Sequence, residues 1–133
     1  MKFFQTIRIV LLTTIVLQAC THKMNFATSS ILPAARGEIG VKKDKNNNYV
    51  IDVRVQNLAE ANRLNPPKET YIVWMESNRN SAKKLGQIRP TSKALTGKLT
   101  ATETTQPDDI FITAEDNADV SYPNGQVVLT TKR

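Results

Sequence analysis

Short segments of alternating hydrophobic and polar residues follow one another along the chain from Arg36 onward. In residues 49–56 every second position is Tyr, Ile or Val, and three of the four positions between them are polar. A period of two predicts a β-strand with one buried and one solvated face. Residues 38–42 alternate in the same way, and the sequence DKNNN at 44–48 is typical of a tight turn. Together these segments predict a β-hairpin.

Residues 71–75 are apolar at every position and include Trp74, the only tryptophan. Such a run predicts a central strand that is covered on both faces. The preceding residues 57–68 contain Pro66 and Pro67, which interrupt regular structure and predict a crossover between two sheets. We expect this crossover to cover the second face of the strand, and Trp74 to anchor the core.

Four further segments with strand-like patterns complete the chain, at residues 84–88, 95–101, 110–114 and 126–131. Polar loops containing Pro, Asn, Asp or Gly separate them, as is typical of all-β proteins. The spacing of about seven predicted strands indicates a β-sandwich. The fold class is therefore predicted to be all-β, with one sandwich domain over residues 36–133.

The N-terminal residues 1–19 have the composition of an export signal. Lys2 and Arg8 are basic, residues 9–17 are apolar or nearly so, and Ala19 is small, in the order that a signal peptide requires. The apolar stretch is too short to cross a bilayer, which needs about 20 residues in a helix. We therefore predict a cleaved signal peptide.

The residues Leu17-Gln18-Ala19-Cys20 resemble the lipobox of bacterial lipoproteins. The resemblance implies that Cys20 becomes the first mature residue and that its sulfur carries a lipid with acyl chains such as palmitate. The chain would then belong to the bacterial cell envelope and be attached to a membrane through Cys20. Because Thr21 rather than an aspartate follows the cysteine, we expect the outer membrane, facing the periplasm.

Residues 20–35 show no sustained period and are rich in Ser, Thr and Asn, with a proline at Pro33. They predict a flexible tether, whose reach for about 15 residues is roughly 20–25 Å. A second interpretation stays open, in which Phe26, Ile31 and Leu32 begin an edge strand or dock on the domain.

The inventory of reactive side chains is small, because Cys20 is the only cysteine and His22 the only histidine. We therefore expect no disulfide, no Ser-His or Cys-His pair, no zinc site and no cofactor in the folded domain. The formal net charge is +6, and two of the positive charges lie in the predicted signal peptide. The lysines of the domain cluster in two turn-like stretches, near residues 42–45 and 83–84, so we expect no nucleic-acid partner.

Carboxylates are the remaining candidates for chemistry. Glu115, Asp116 and Asp119 surround the loop that follows the predicted strand at 110–114. Asp116 and Asp119 are candidate oxygen ligands for a cation, and the acidic residues 115–119 are the basis of an alternative function, a small ion-dependent or hydrolytic activity. Acidic residues in turns more often bind backbone amides or water, so we predict neither a metal site nor catalysis.

Four stretches of the sequence form a further pattern when taken in order: Tyr71-Ile72-Val73-Trp74, Leu85-Gly86, residues 111–115 (FITAE) and residues 122–129 (YPNGQVVL). Together they resemble the extracytoplasmic C-terminal domain of anti-sigma-K factors. The resemblance implies an immunoglobulin-like sandwich that binds or senses something in the envelope. The sigma-binding domain and transmembrane helix of those factors have no counterpart in this sequence, so a link to a sigma factor would need a separate membrane-spanning partner.

We therefore expect a lipid-anchored, non-enzymatic interaction or sensing module of the cell envelope. Its partner would be an envelope protein or a glycan, bound through exposed loops. The candidate interaction residues are Asn78 and Arg79 in one predicted turn, and Asp116 and Asn117 in another.

Overall fold

The computed structural model of the protein describes residues 20–91 and 93–132, which contain eight β-strands in two antiparallel sheets. The first sheet consists of β1 (His22–Asn25), β2 (Arg36–Lys43), β3 (Tyr49–Gln56) and β6 (Gly97–Glu103), in the order β1-β2-β3-β6. The second consists of β4 (Thr70–Glu76), β5 (Lys83–Ile88), β7 (Asp109–Glu115) and β8 (Gln126–Thr130), in the order β5-β4-β7-β8. The predicted signal peptide, residues 1–19, lies outside the described residues.

The two sheets pack face to face as an immunoglobulin-like β-sandwich, so the predicted all-β fold class is confirmed. The chain crosses from one sheet to the other after β3, β5 and β6, as in the Greek-key connections of this class. The core lies between the sheets, where Ile39 and Ile51 of the first sheet and Val73 and Ile112 of the second are 0% exposed. The described residues form one strand more than predicted, β1.

The β2–β3 hairpin follows the alternation of its sequence. Ile51 and Val53 point into the core, and the polar residues between and after them face solvent. Asp44 closes the turn, because one of its carboxylate oxygens accepts hydrogen bonds from the backbone N–H groups of Asn46 and Asn48, at 2.8 and 3.0 Å. The predicted hairpin is therefore confirmed.

Residues 20–35 belong to the sandwich and do not form the predicted tether. β1 pairs with β2, and Phe26, directly after β1, is only 9% exposed. The Phe26 ring packs against Gly37 of β2, where an added Cβ would lie 2.7 Å from the ring. Leu32 is buried and Ile31 is half-buried against the same core. The tether is thus corrected to an edge strand followed by a docked segment, which is the second interpretation that the sequence left open.

The crossover between β3 and β4 is fixed to the core by Tyr71. The crossover contains a short 3-10 helix at Ala61–Arg63. Tyr71 is 1% exposed, and its hydroxyl donates a hydrogen bond of 2.8 Å to the carbonyl oxygen of Ala59. Burial raises the pKa of Tyr71 to about 12, because the phenolate would lose its hydration in this position.

The raised pKa of Tyr71 predicts a loss of stability at high pH. The unfolded chain releases this proton near pH 10, whereas the folded chain retains it up to about pH 12. The contribution of Tyr71 to the free energy of unfolding is therefore complete below pH 10 and falls by about 2–3 kcal/mol as the pH rises to 12. Denaturant unfolding of wild type and Tyr71→Phe across this range measures the effect. An identical pH dependence in the two proteins would contradict it.

Replacement of Phe26 by alanine tests whether the segment before β2 is part of the core. Truncation of a buried phenyl ring typically costs about 3–5 kcal/mol, and we expect about 3 kcal/mol for Phe26→Ala in urea unfolding. Tyr122, at 68% exposure, is the matched aromatic control. Tyr122→Ala should change stability by less than about 0.5 kcal/mol. If both variants are as stable as wild type, residues 20–35 are not part of the core.

Candidate functional site

The loop between β7 and β8 forms a strap over the outer face of the second sheet. Ala118 and Val120 of this strap, residues 116–125, pack on an apolar cluster of Ile72, Trp74 and Phe111. Trp74 is 0% exposed, so its predicted role as a core anchor is confirmed. The apolar cover on this face comes from the strap and from Ala82, directly before β5, so the expectation that the crossover would supply it is wrong.

A chain of hydrogen bonds runs beneath the strap from the tryptophan to a buried carboxylate. The indole Nε1–H of Trp74 donates to Thr113 Oγ1 at 2.8 Å, and the Thr113 hydroxyl donates to Glu115 Oε1 at 2.6 Å. The same carboxylate oxygen accepts the backbone N–H of Asn124 at 3.1 Å. Because Glu115 is only 2% exposed, its carboxylate joins β7 to the strap and does not face solvent.

The other acidic residues of the predicted loop also make local contacts. Asp116 Oδ2 is ion-paired with Lys68 Nζ at 3.1 Å, which joins the strap to the crossover. The backbone N–H of Asp119 donates to Asn117 Oδ1 at 2.8 Å. In the part of the chain that the structure describes, no group of three or more His, Cys, Asp or Glu residues is arranged to hold a metal ion. Asp116 and Asp119 therefore belong to no such group.

Asn78 and Arg79 occupy the tip of the β4–β5 hairpin. Both have positive φ, 51° and 58°, and the N–H of Asn80 donates to the carbonyl oxygen of Ser77 at 2.9 Å, which closes the turn. The backbone N–H of Asn78 also donates to Asp108 Oδ2 at 2.6 Å. A glycine would adopt the φ of Arg79 without steric cost, so backbone stability does not explain an arginine at this exposed position.

The four candidate interaction residues do not form one surface. In the pairing of β4 with β7, the end of β4 lies beside the start of β7 and the start of β4 beside the end of β7. Each strand has seven residues, which span about 20 Å. Two candidate residues therefore lie at each end of the sandwich: Asn78 and Arg79 after β4, and Asp116 and Asn117 after β7.

Cys20 lies at the end of the sandwich that carries the β2–β3 and β4–β5 turns. β1 begins at His22, which pairs with Val41 near the end of β2, and the Cys20 thiol is free and exposed. The ion pair between Lys83 Nζ and Glu103 Oε2 brings the β4–β5 hairpin to the same end. We call this the Cys20 end. The opposite end, with the crossover, the β5–β6 loop and the start of the strap, is called the strap end.

Comparisons with protein-family models, curated proteins and solved structures find no match to this chain. The resemblance to the outer domain of anti-sigma-K factors therefore rests on the sequence stretches that carry it. None of the described residues form a helix that is long and apolar enough to span a membrane.

Sequence reasoning missed the residues that hold the strap, namely Thr113, Asn124 and Lys68. A signal for Thr113 was present, because it is the one polar residue in the otherwise apolar segment 110–114, and a buried hydroxyl needs a hydrogen-bond partner. Lys68 had no such signal. It lies 48 positions from Asp116 in the sequence, and the sheet topology alone brings the two residues together.

Removal of the Thr113 hydroxyl tests the hydrogen-bond chain beneath the strap. Thr113→Val keeps the shape of the side chain but leaves the Trp74 indole N–H without an acceptor, and the Glu115 carboxylate keeps only the Asn124 N–H as a donor. An unsatisfied buried group costs about 1–3 kcal/mol and a lost hydrogen bond about 1 kcal/mol, so the loss in urea unfolding should be about 2–4 kcal/mol. Thr100, whose hydroxyl donates to Asp52 on the exposed face of the first sheet, is the matched control.

Thr100→Val removes the same hydroxyl from a solvated position and should change stability by less than about 0.5 kcal/mol. The fluorescence of Trp74 should shift to longer wavelength in Thr113→Val alone, because a loosened strap admits water to the indole. Equal stability losses in the two variants would contradict a structural role for the chain.

Proposed function

We propose that this protein is a lipid-anchored, non-enzymatic interaction or sensing module of the bacterial cell envelope, held at the outer membrane and facing the periplasm. The observation that carries the proposal is the position of Cys20. This residue ends the Leu17-Gln18-Ala19-Cys20 motif, its thiol is free and exposed, and Thr21 alone separates it from the first strand. A lipid on this sulfur leaves all eight described strands outside the membrane.

The contacts of the acidic side chains support a binding role over a catalytic one. Glu115 accepts hydrogen bonds from Thr113 and from the strap backbone, and Asp116 is ion-paired. Asp108 accepts the N–H of Asn78 in the hairpin turn. Carboxylates that hold their own backbone in place are poorly suited to activate water or substrate, because that chemistry would break the contacts. This geometry does not favour the alternative, an ion-dependent or hydrolytic activity at residues 115–119.

The partner that we propose is an envelope protein or a glycan, bound through exposed turns at the ends of the sandwich. Loops held by a rigid scaffold are the usual place for such contacts. Arg79 supports this proposal, since an exposed arginine at a φ of 58° contributes nothing to turn stability that a glycine would not. The resemblance to an extracytoplasmic domain of anti-sigma-K factors agrees with binding or sensing.

Lipidation is tested by comparing wild type with Cys20→Ala in a bacterial host. The wild-type chain should sediment with membranes, require detergent for extraction and carry the mass of its acyl chains on the peptide that begins at Cys20. Cys20→Ala should lose the acyl mass. Thr21→Ala, which keeps the cysteine, is the matched control and should behave as wild type. An unmodified Cys20 in the membrane-associated wild-type chain would overturn the proposed anchor.

The interaction role is tested by in-cell crosslinking of the lipidated protein against the Cys20→Ala control. One specific envelope partner should be recovered with wild type and lost with Cys20→Ala. The paired variants Asn78→Gly/Arg79→Gly and Asp116→Ala/Asn117→Ala should retain the fold, and one of the pairs should lose the partner. A turnover activity that disappears in Asp116→Ala and Asp119→Ala would instead establish the hydrolytic alternative.

A further inference from the structure

β1 begins two residues after Cys20, so no flexible tether separates the proposed anchor from the domain. Its four residue pairs with β2 fix the chain from His22 onward, and Thr21 already lies over Gly40, with its methyl carbon 3.6 Å from the position of an added Cβ. A lipid attached at Cys20 therefore holds the Cys20 end within about 10 Å of the membrane surface, the length of two or three extended residues.

The Cys20 end carries exposed cations that have no ion-pair partner within the described residues. Lys42 and Lys43 end β2, Lys45 lies in the turn that follows, and Arg79 occupies the tip of the neighbouring hairpin. Lys43 Nζ lies 5.4 Å from the centre of the Tyr49 ring, a cation–π contact that leaves the ammonium group exposed.

The acidic residues at this end are already engaged. Asp44 binds the backbone of its own turn, Glu103 is paired with Lys83, and Glu76 is paired with Lys132. Asp108 and Asp109 also lie at this end, next to the β4–β5 hairpin. In residues 42–45, beside Cys20, three lysines surround the single carboxylate of Asp44, so this turn remains positive.

The strap end also carries exposed cations without an ion-pair partner in the described residues, among them Arg89, Lys93 and Lys98, but other charges at this end are balanced. Lys68 is ion-paired with Asp116, Arg63 lies 3.9 Å from Glu60, and the buried Glu115 adds a carboxyl group to the same end. The two ends are about 20 Å apart along the strands. An anionic surface acts over about 10 Å at 0.1 M salt, so in a chain anchored through Cys20 it would attract the Cys20 end and leave the strap end unaffected.

We propose that the Cys20 end docks on the anionic lipid headgroups of the leaflet that holds the anchor. Lys42, Lys43 and Lys45 make the principal contacts, and Arg79 adds a further one. This inference rests on the proposed anchor at Cys20. Each lysine close to an anionic bilayer strengthens binding about fivefold, so the cluster is sufficient to orient a domain that is already held at the surface.

Lysine footprinting on tethered protein tests the orientation. The chain from Cys20 onward, which contains all eight strands, is coupled through its single thiol to maleimide lipids in vesicles of phosphatidylglycerol and phosphatidylcholine in equal parts. Acetylation of Lys42, Lys43 and Lys45 should become severalfold slower than in the free protein. Lys93 and Lys98, at the strap end, should react at unchanged rates. On vesicles of phosphatidylcholine alone the slowing should be much weaker.

Three outcomes of the footprinting overturn the inference. Equal rates at both ends on the anionic vesicles would show that the domain turns freely about its anchor. Slowing at Lys93 and Lys98 would show the opposite orientation. Equal slowing on both kinds of vesicle would show that the lysines lie near the membrane but do not recognise its anionic headgroups.

Charge-reversal variants of the uncoupled protein test the lysines directly. Lys42→Glu/Lys43→Glu/Lys45→Glu should bind sedimented phosphatidylglycerol vesicles about 100-fold more weakly than wild type. The control Arg63→Glu/Lys93→Glu/Lys98→Glu makes the same change in net charge at the strap end and should lose clearly less affinity, because the carboxylates of Glu60 and Asp116 lie among the cations there. Equal losses in the two variants, or wild-type binding no stronger than to phosphatidylcholine, would overturn the proposal.

These measurements separate the docking surface from the proposed function. The thiol is coupled to lipid chemically, so the footprint does not depend on whether a cell acylates Cys20. An unmodified Cys20 in cells would remove the anchor and leave the vesicle measurements unchanged. Equal acetylation rates at the two ends would refute the docking surface and would not bear on whether Cys20 is acylated in cells.

Discussion

Burial of β4 on both of its faces is the constraint on which much of this structure depends. One face packs against the first sheet, and the other carries Ile72 and Trp74, which need a cover of their own. An indole N–H in such a position must find an acceptor, because an unpaired buried donor costs about 1–3 kcal/mol. Thr113 on the adjacent strand meets that need, and Glu115 in turn accepts hydrogen bonds from the Thr113 hydroxyl and from a backbone N–H of the strap. The acidic loop is therefore first of all a structural element.

The sequence predicted the strands, because a strand is indicated by the order of polar and apolar residues within its own segment. The alternation in residues 49–56 and the apolar run at 71–75 each describe a strand whose environment is uniform along its length. The sequence could not show which segment covers the outer face of β4, because both the crossover and the β7–β8 loop are long enough to reach it. The strap contributes only Ala118 and Val120 to the apolar contact, and two small residues in a polar loop give no periodic signal.

Strand β1, which the sequence left open as an alternative to a tether, shows the same limit of local patterns. Its four residues HKMN include only one apolar side chain, Met24, so the segment resembles a flexible linker. What holds it is nonlocal: pairing with β2, and the packing of Phe26 into the space that Gly37 leaves. A glycine that admits a ring from a distant residue cannot be distinguished in sequence from a glycine that serves a turn. The residues that resemble a lipobox, by contrast, are contiguous and can be read from the sequence alone.

Because β1 follows Cys20 so closely, a lipid on Cys20 would place one end of the sandwich at the membrane and the other end away from it. Lys42, Lys43 and Lys45 then lie at the headgroups, and Arg79 lies with them. The strap end points about 20 Å further from the bilayer, the length of its strands. Asp116 and Asn117 are the candidate residues that a soluble or membrane-bound partner can reach there, and the strap that presents them is held by the Glu115 carboxylate. The buried polar chain would thus determine the shape of the outward surface, although its side chains are themselves buried beneath the strap.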